Sequence, residues 1–195
     1  MAREDSVVTP ERYAQGFSYT DYMDQIKVNK ARFKGFYDGL TLSAEDTAFF
    51  KELTQRTNGP AKMMVIGEDW CGDVIRGLPV LARVAEAAGI PISIFPRDSH
   101  MDIMNEYLNR GEFLSIPVAV FYTADHKYIC HWIERPAIAI KETGEIEKAI
   151  KDENPGIEER EFGQQRRARL AEKAQDWIDA TVVELKELLS SSTAE

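Results

Sequence analysis

The chain has only two cysteines, Cys71 and Cys130, in 195 residues, so no disulfide framework holds it together. Its three histidines, His100, His126 and His131, stand at no metal-ligand spacing with either cysteine, and no metal or other cofactor is expected. No apolar run approaches the roughly 20 residues that a membrane-spanning helix requires. Basic residues are also in deficit: 24 Lys and Arg against 33 Asp and Glu leave a net charge of −9. That balance argues against a nucleic-acid partner, because phosphate binding needs a basic field. The cluster Arg166, Arg167 and Arg169 lies among acidic residues and reads as a solvated helix face. Gly72 and Gly77 lack the pattern of a phosphate-cradling loop, and no Ser-His-Asp or Cys-His-Asn order carries a signature. Behind Met1-Ala2-Arg3-Glu4-Asp5 there is no apolar segment of the secretory kind, which predicts a cytoplasmic protein with reduced thiols.

What is present is ordinary globular composition, with 44% hydrophobic and 29% charged residues, enough for one core with helical extensions. Thr9-Pro10-Glu11 predicts a helix start, a cap followed by proline and an acid in the first turn. From Tyr19 onward Tyr22, Met23, Ile26, Phe33, Phe36, Tyr37 and Leu40 recur at helical spacing, with Gly39 as the expected end. Ser43, with Asp46 three residues later, predicts another start. Residues 1–60 therefore read as a helical extension of two or three helices. Lys62–Gly67 is a short apolar run suited to a buried strand, and residues 73–88 follow with helical spacing, Pro79 inside and Gly89 as terminator. Residues 90–95 predict a second strand, and Asp98 or Ser99 a cap for a short helix through Leu108. Residues 117–122 and 128–133 flank a polar turn and predict an antiparallel hairpin. Beyond Arg135-Pro136 the chain is charged and helical. An apolar stripe through Leu170, Ala174, Trp177 or Ile178, Thr181, Leu185 and Leu188 is expected to dock on the domain or on a second copy as a homodimer, and residues 190–195 to fray.

The most informative segment is Glu68-Asp69-Trp70-Cys71-Gly72-Asp73-Val74. It places a sulfur where a strand hands over to a helix N-terminus. Unpaired N–H groups and the helix dipole favour an anion there, and a thiolate is an anion. Cys71 is thus a candidate reactive thiol.

A strand, then Trp70-Cys71-Gly72 opening a helix, then Pro79 inside it, then Ile116-Pro117 ahead of a hairpin, 46 residues after the cysteine: this order resembles the thioredoxin superfamily. The Trp-Cys-Gly-Asp-Val variant is similar to a bacterial subgroup of thioredoxin-like proteins. The resemblance implies an α/β fold with a mixed central sheet flanked by helices. It places the thioredoxin-like domain at 61–150, after the 1–60 extension, and a long C-terminal helix within 151–195. It implies that Cys71 is the nucleophile and that Trp70 shields it and meets partners; Gly72 and Asp73, in the first turn of the helix, are further candidate binding residues, although Asp73 departs from the family's pattern. It further implies that Pro117 is a cis-proline facing the sulfur, with the backbone of Ile116 offered to a bound peptide or thiol.

Thioredoxins carry Cys-Gly-Pro-Cys, whereas this chain has Cys71-Gly72-Asp73-Val74. Val74 cannot release a mixed disulfide as a second cysteine does, and Cys130, inside a predicted strand on the far side of the sheet, reads as a small buried hydrophobe. Glu68, Asp69 and Asp73 oppose the helix dipole unless Arg76 leans back towards the sulfur. Two function classes follow. Either Cys71 is a working monothiol, a disulfide oxidoreductase forming mixed disulfides with glutathione or protein thiols. Or the fold is a redox-inactive binding or adaptor protein using the groove between Trp70 and Pro117.

Overall fold

A computed structural model describes residues 6–193. Four helices lead the chain. The first, α1 (Pro10–Tyr13), is capped by the Thr9 hydroxyl, which accepts the Arg12 N–H at 3.2 Å. Then come α2 (Tyr19–Gln25), capped by Ser18, α3 (Lys30–Gly39), and α4 (Ala44–Thr54), where the Ser43 hydroxyl accepts the Asp46 N–H at 3.0 Å. The periodicity from Tyr19 to Leu40 suggested one helix, yet it breaks at Ile26, which is extended, and at Asn29, which is left-handed with φ 58°. Asparagine tolerates that conformation better than most residues.

The sheet follows. Strand β1 (Lys62–Gly67) leads into α5 (Gly72–Ala88) and then β2 (Ile92–Pro96), a parallel β–α–β unit. After a 3₁₀ turn at Arg97–Ser99 and the short α6 (Met101–Met104), β3 (Val118–Tyr122) and β4 (Tyr128–Ile133) form an antiparallel hairpin. The helix expected through Leu108 is thus a single turn, ended where the chain folds back and pairs Asn109 with Phe113. Strand order is β2-β1-β3-β4, with β1 antiparallel to β3. The two central strands are buried on both faces, which is why they read as continuous apolar runs rather than alternations; Met63 through Ile66 and Val118 through Phe121 are all 0% exposed. Helix α5 presents Ile75, Leu78, Leu81 and Val84 to this core, and α3 and α4 pack on it in turn. Phe17 pairs with Ile94 through N–H···O bonds of 2.9 and 2.8 Å, closing the outer edge of β2 against strand addition.

Residues 6–134 and 185–193 belong to one compact unit, and Arg135–Glu184 forms another. The second holds α7 (Ala137–Glu153), α8 (Glu159–Glu172) and the first part of α9 (Ala174–Ser192). Ala139, Leu170 and Trp177 form its buried cluster, with Ile146 against it. The Trp177 indole donates to Glu142 at 2.6 Å. Glu184 accepts the Ala137 N–H at 2.6 Å, placing a carboxylate at the positive end of α7.

In the first unit, Leu185 and Leu189 are buried, and Lys186 pairs with Asp46 at 2.7 Å, so the last turns of α9 bind α4. The tail therefore stays helical through Ser192 instead of fraying from residue 190. The Leu189 carbonyl accepts both the Thr193 N–H at 3.1 Å and the Thr193 hydroxyl at 2.7 Å, which closes the last turn. Residues 194 and 195 lie outside the described residues. No helix among the described residues is long and apolar enough to cross a membrane.

Candidate functional site

The turn between β1 and α5 sets the position of the sulfur. The Cys71 N–H donates to the Glu68 carbonyl at 3.2 Å, and the Cys71 carbonyl accepts the Ile75 N–H at 3.0 Å. Cys71 is the N-cap of α5, with extended backbone (φ −81°, ψ 125°), and its side chain caps no helical N–H. The thiol is half-buried and its Sγ lies 3.7 Å from the Ile116 carbonyl oxygen, to which it donates. The Ile116–Pro117 peptide is cis. Cys71 and Ile116, 45 residues apart in the chain, thus meet across one gap.

Gly77 lets this happen. A Cβ there would lie 3.1 Å from Cγ of Pro117 and 4.0 Å from the Trp132 ring, so the absence of a side chain lets α5 approach the cis-proline this closely. Trp70 is 51% exposed, with the Arg97 guanidinium 4.9 Å from its ring centroid. Arg97 also donates to the Leu114 carbonyl at 3.4 Å, and Phe113 and Leu114 are exposed beside it. The sequence pattern missed Arg97, because nothing local marks an arginine as an aromatic's cover.

Asp73 pairs with Arg76 at 2.5 Å. That arginine leans on the carboxylate, so the charge expected to oppose the helix dipole is met within the same turn. Asp69 is spent elsewhere. Its carboxylate accepts the backbone N–H groups of Lys27 and Val28 at 2.8 and 3.1 Å, and its carbonyl accepts from the Asn29 side chain at 2.9 Å. The interruption between α2 and α3 is therefore a latch on the Cys71 loop. Asp69→Ala is expected to cost about 1–2 kcal/mol, since two amides lose a charged acceptor. Urea denaturation would read that loss, and faster amide exchange at Lys27 and Val28 would locate it.

Among the aromatics of the leading helices, Phe17 serves the β2 edge and Tyr19 stacks on Tyr37 at 4.7 Å. Burial first, and then the charges of Glu68, Asp69 and Cys71, raise the Tyr22 phenol pKa.

Val74, where a second cysteine would stand, is fully buried. A Cβ on Gly67 would lie 2.9 Å from its Cγ1, so Val74 sits tight against β1. Both cysteines are free thiols. Cys130 lies on the edge strand β4, two strands from β1. Burial pushes its thiol up to about 11, against a smaller opposing hydrogen bond from Ser192. Among the described residues, no group of three or more His, Cys, Asp or Glu side chains could hold a metal ion.

The comparisons bear on the fold and the family. A protein of unknown function from Pseudomonas aeruginosa, solved by crystallography, is similar over 94% of this chain and 98% of its own, with a TM-score of 0.65 at 17% identity. A crystallised HIV epitope scaffold is similar over 70% of this chain and 81% of its own, with a TM-score of 0.57 at 18% identity. Such identities speak for the fold alone. Among curated proteins none matches the chain significantly. The family model described as thioredoxin matches residues 16–148, from the edge-closing Phe17 through all four strands into α7, and the chain belongs to that family.

Proposed function

We propose that the chain is a monothiol disulfide-exchange protein acting through Cys71, with glutathione or protein thiols as its partners. The observation that carries this reading is the placement of Sγ: half-buried, at the N-cap of a 17-residue helix and 3.7 Å from the Ile116 carbonyl. The positive helix end stabilises a thiolate. The thiolate attacks one sulfur of a disulfide, a new S–S bond forms to Cys71, and the displaced thiolate leaves with the electron pair and takes a proton from solvent. A second, external thiolate then attacks the mixed disulfide and frees Cys71. A reducing cytoplasm supplies such thiols. Trp70 and the Ile116–Pro117 backbone flank the sulfur as the surface a partner would meet, with Gly72 leaving the approach open and Asp73 neutralised by Arg76.

Oxidised glutathione is expected to add one glutathionyl group, at Cys71, by intact-mass and peptide mapping. The variant Cys71→Ser should add none. Cys130 should stay unmodified at pH 8, because a thiol titrating near 11 is ionised there at about one part in a thousand. Wild-type protein that gains no adduct would overturn the reading. It would favour instead a redox-inactive binding role for the groove beside Trp70 and Pro117, for which the exposed Trp70, Phe113 and Leu114 speak.

A further inference from the structure

A cavity of about 270 Å³ opens beside the Cys71 loop, between the end of α2 and the 3₁₀ turn after β2. Its lining includes Tyr22, Lys27, Glu68, Asp69, Asp98 and Ser99. Tyr22 is 1% exposed, and its hydroxyl meets no hydrogen-bond partner among the described residues. Buried hydroxyls are normally satisfied, so an orphan on a cavity wall calls for a ligand. Three carboxylates share that wall with one lysine. Asp98 is paired with Arg97 at 2.6 Å, but Glu68 and Asp69 form no ion pair with a lysine or arginine among the described residues. Glu68 accepts the Asp98 N–H at 2.7 Å, which fixes its carboxylate in place. Burial holds the Glu68 carboxyl above its ordinary range and keeps Tyr22 a neutral phenol. A neutral phenol beside carboxylates can accept from a cation and donate to its neighbours at once.

The cavity is also close to the chemistry. The N–H···O bond from Cys71 to Glu68 closes a four-residue turn, whose ends lie within about 7 Å of each other. We propose that this cavity is a subsite for an ammonium group, and that Cys71 exchanges fastest with small disulfides carrying such a group, the disulfides of aminothiols. The inference rests on Cys71 being a working thiol and names its substrate class. In the step, the Cys71 thiolate attacks one sulfur of the aminothiol disulfide and bonds to it. The other aminothiol leaves as a thiolate with the electron pair and is protonated by solvent.

Two reagents of equal length separate charge from reach: cystamine, with two ammonium groups, and bis(2-hydroxyethyl) disulfide, with none. Adduct formation at Cys71 is followed by intact mass on the full chain, and each rate is divided by that reagent's rate with free N-acetylcysteine amide. The normalised ratio of cystamine to the neutral disulfide is expected to be about tenfold or more, and to shrink as salt rises. In Glu68→Gln, and independently in Tyr22→Phe, which keeps the buried ring, the ratio should fall towards one. A wild-type ratio near one with both reagents reacting, or a ratio that neither variant changes, overturns the subsite and leaves the thiol reading standing. If neither reagent adds to Cys71, the thiol reading falls, and the substrate assignment falls with it.

Discussion

Val74→Cys is expected to turn a persistent mixed disulfide into a transient one. Val74 is the third residue of α5, fully buried, and stands three positions after the N-cap Cys71. Residues so spaced on a helix face each other, and the extended backbone of the cap leaves its sulfur able to turn towards the first turn. The introduced thiol would attack the Cys71 sulfur of a glutathionyl adduct, expel glutathione as a thiolate, and leave both protein sulfurs joined. An intramolecular attack of this kind replaces a bimolecular one, so the adduct's lifetime without added thiol should fall by about 100-fold or more. The substitution removes little volume beside Gly67, and its stability cost should be about 0.5–1.5 kcal/mol. Intact mass against time, with and without external thiol, reads the outcome. An adduct as long-lived as the wild type's would show that position 74 does not reach the sulfur.

Phe33→Ala is expected to be the most damaging single truncation in the N-terminal helices. Phe33 is fully buried on α3, makes an edge-to-face contact with Tyr22 at 6.2 Å, and belongs to the helix that packs on α5. Deleting a buried phenylalanine ring leaves a void that the surrounding structure closes only in part, and costs about 3–5 kcal/mol. That is a large part of the about 5–15 kcal/mol by which a domain is stable. Urea unfolding gives the number. A loss below about 1 kcal/mol would mean that the leading helices do not share the core of the sheet, whatever their contacts suggest. Because Tyr22 rests on Phe33, the same variant should also blur the cystamine preference. Tyr22→Phe keeps the ring, and so separates loss of the hydroxyl from loss of packing.

Much of this was legible along the chain. Lys62–Gly67 is the strand the apolar run predicts, and the helix opened by Gly72 ends at Ala88 before a left-handed Gly89. Ser43 with Asp46 caps α4, and both hairpin strands lie within a residue of their patterns. These signals are local: a cap, a terminator or a buried run needs no distant partner to be recognised. The break at Ile26–Asn29 was not legible as a break, because helical periodicity carried straight across it. What stops the helix is a carboxylate from residue 69, some 40 positions away, bidding for the same amides. The helix expected through Leu108 ends at Met104, and the chain beyond it folds back to pair Asn109 with Phe113.

By itself the order of residues determined that a lone thiol would stand at the start of a helix, without a second sulfur beside it, in an α/β chain of acidic balance. A strand, a cap position and an absent cysteine are properties of neighbours in sequence. Only the tertiary structure decided which carbonyl that sulfur touches, that Asp73 is spent on Arg76 and Asp69 on the N-terminal latch, and that Tyr22 is left with an unsatisfied hydroxyl over a carboxylate-lined cavity. Each of these depends on packing between segments tens of residues apart, where side-chain reach and the competition for hydrogen-bond partners, rather than local pattern, set the outcome.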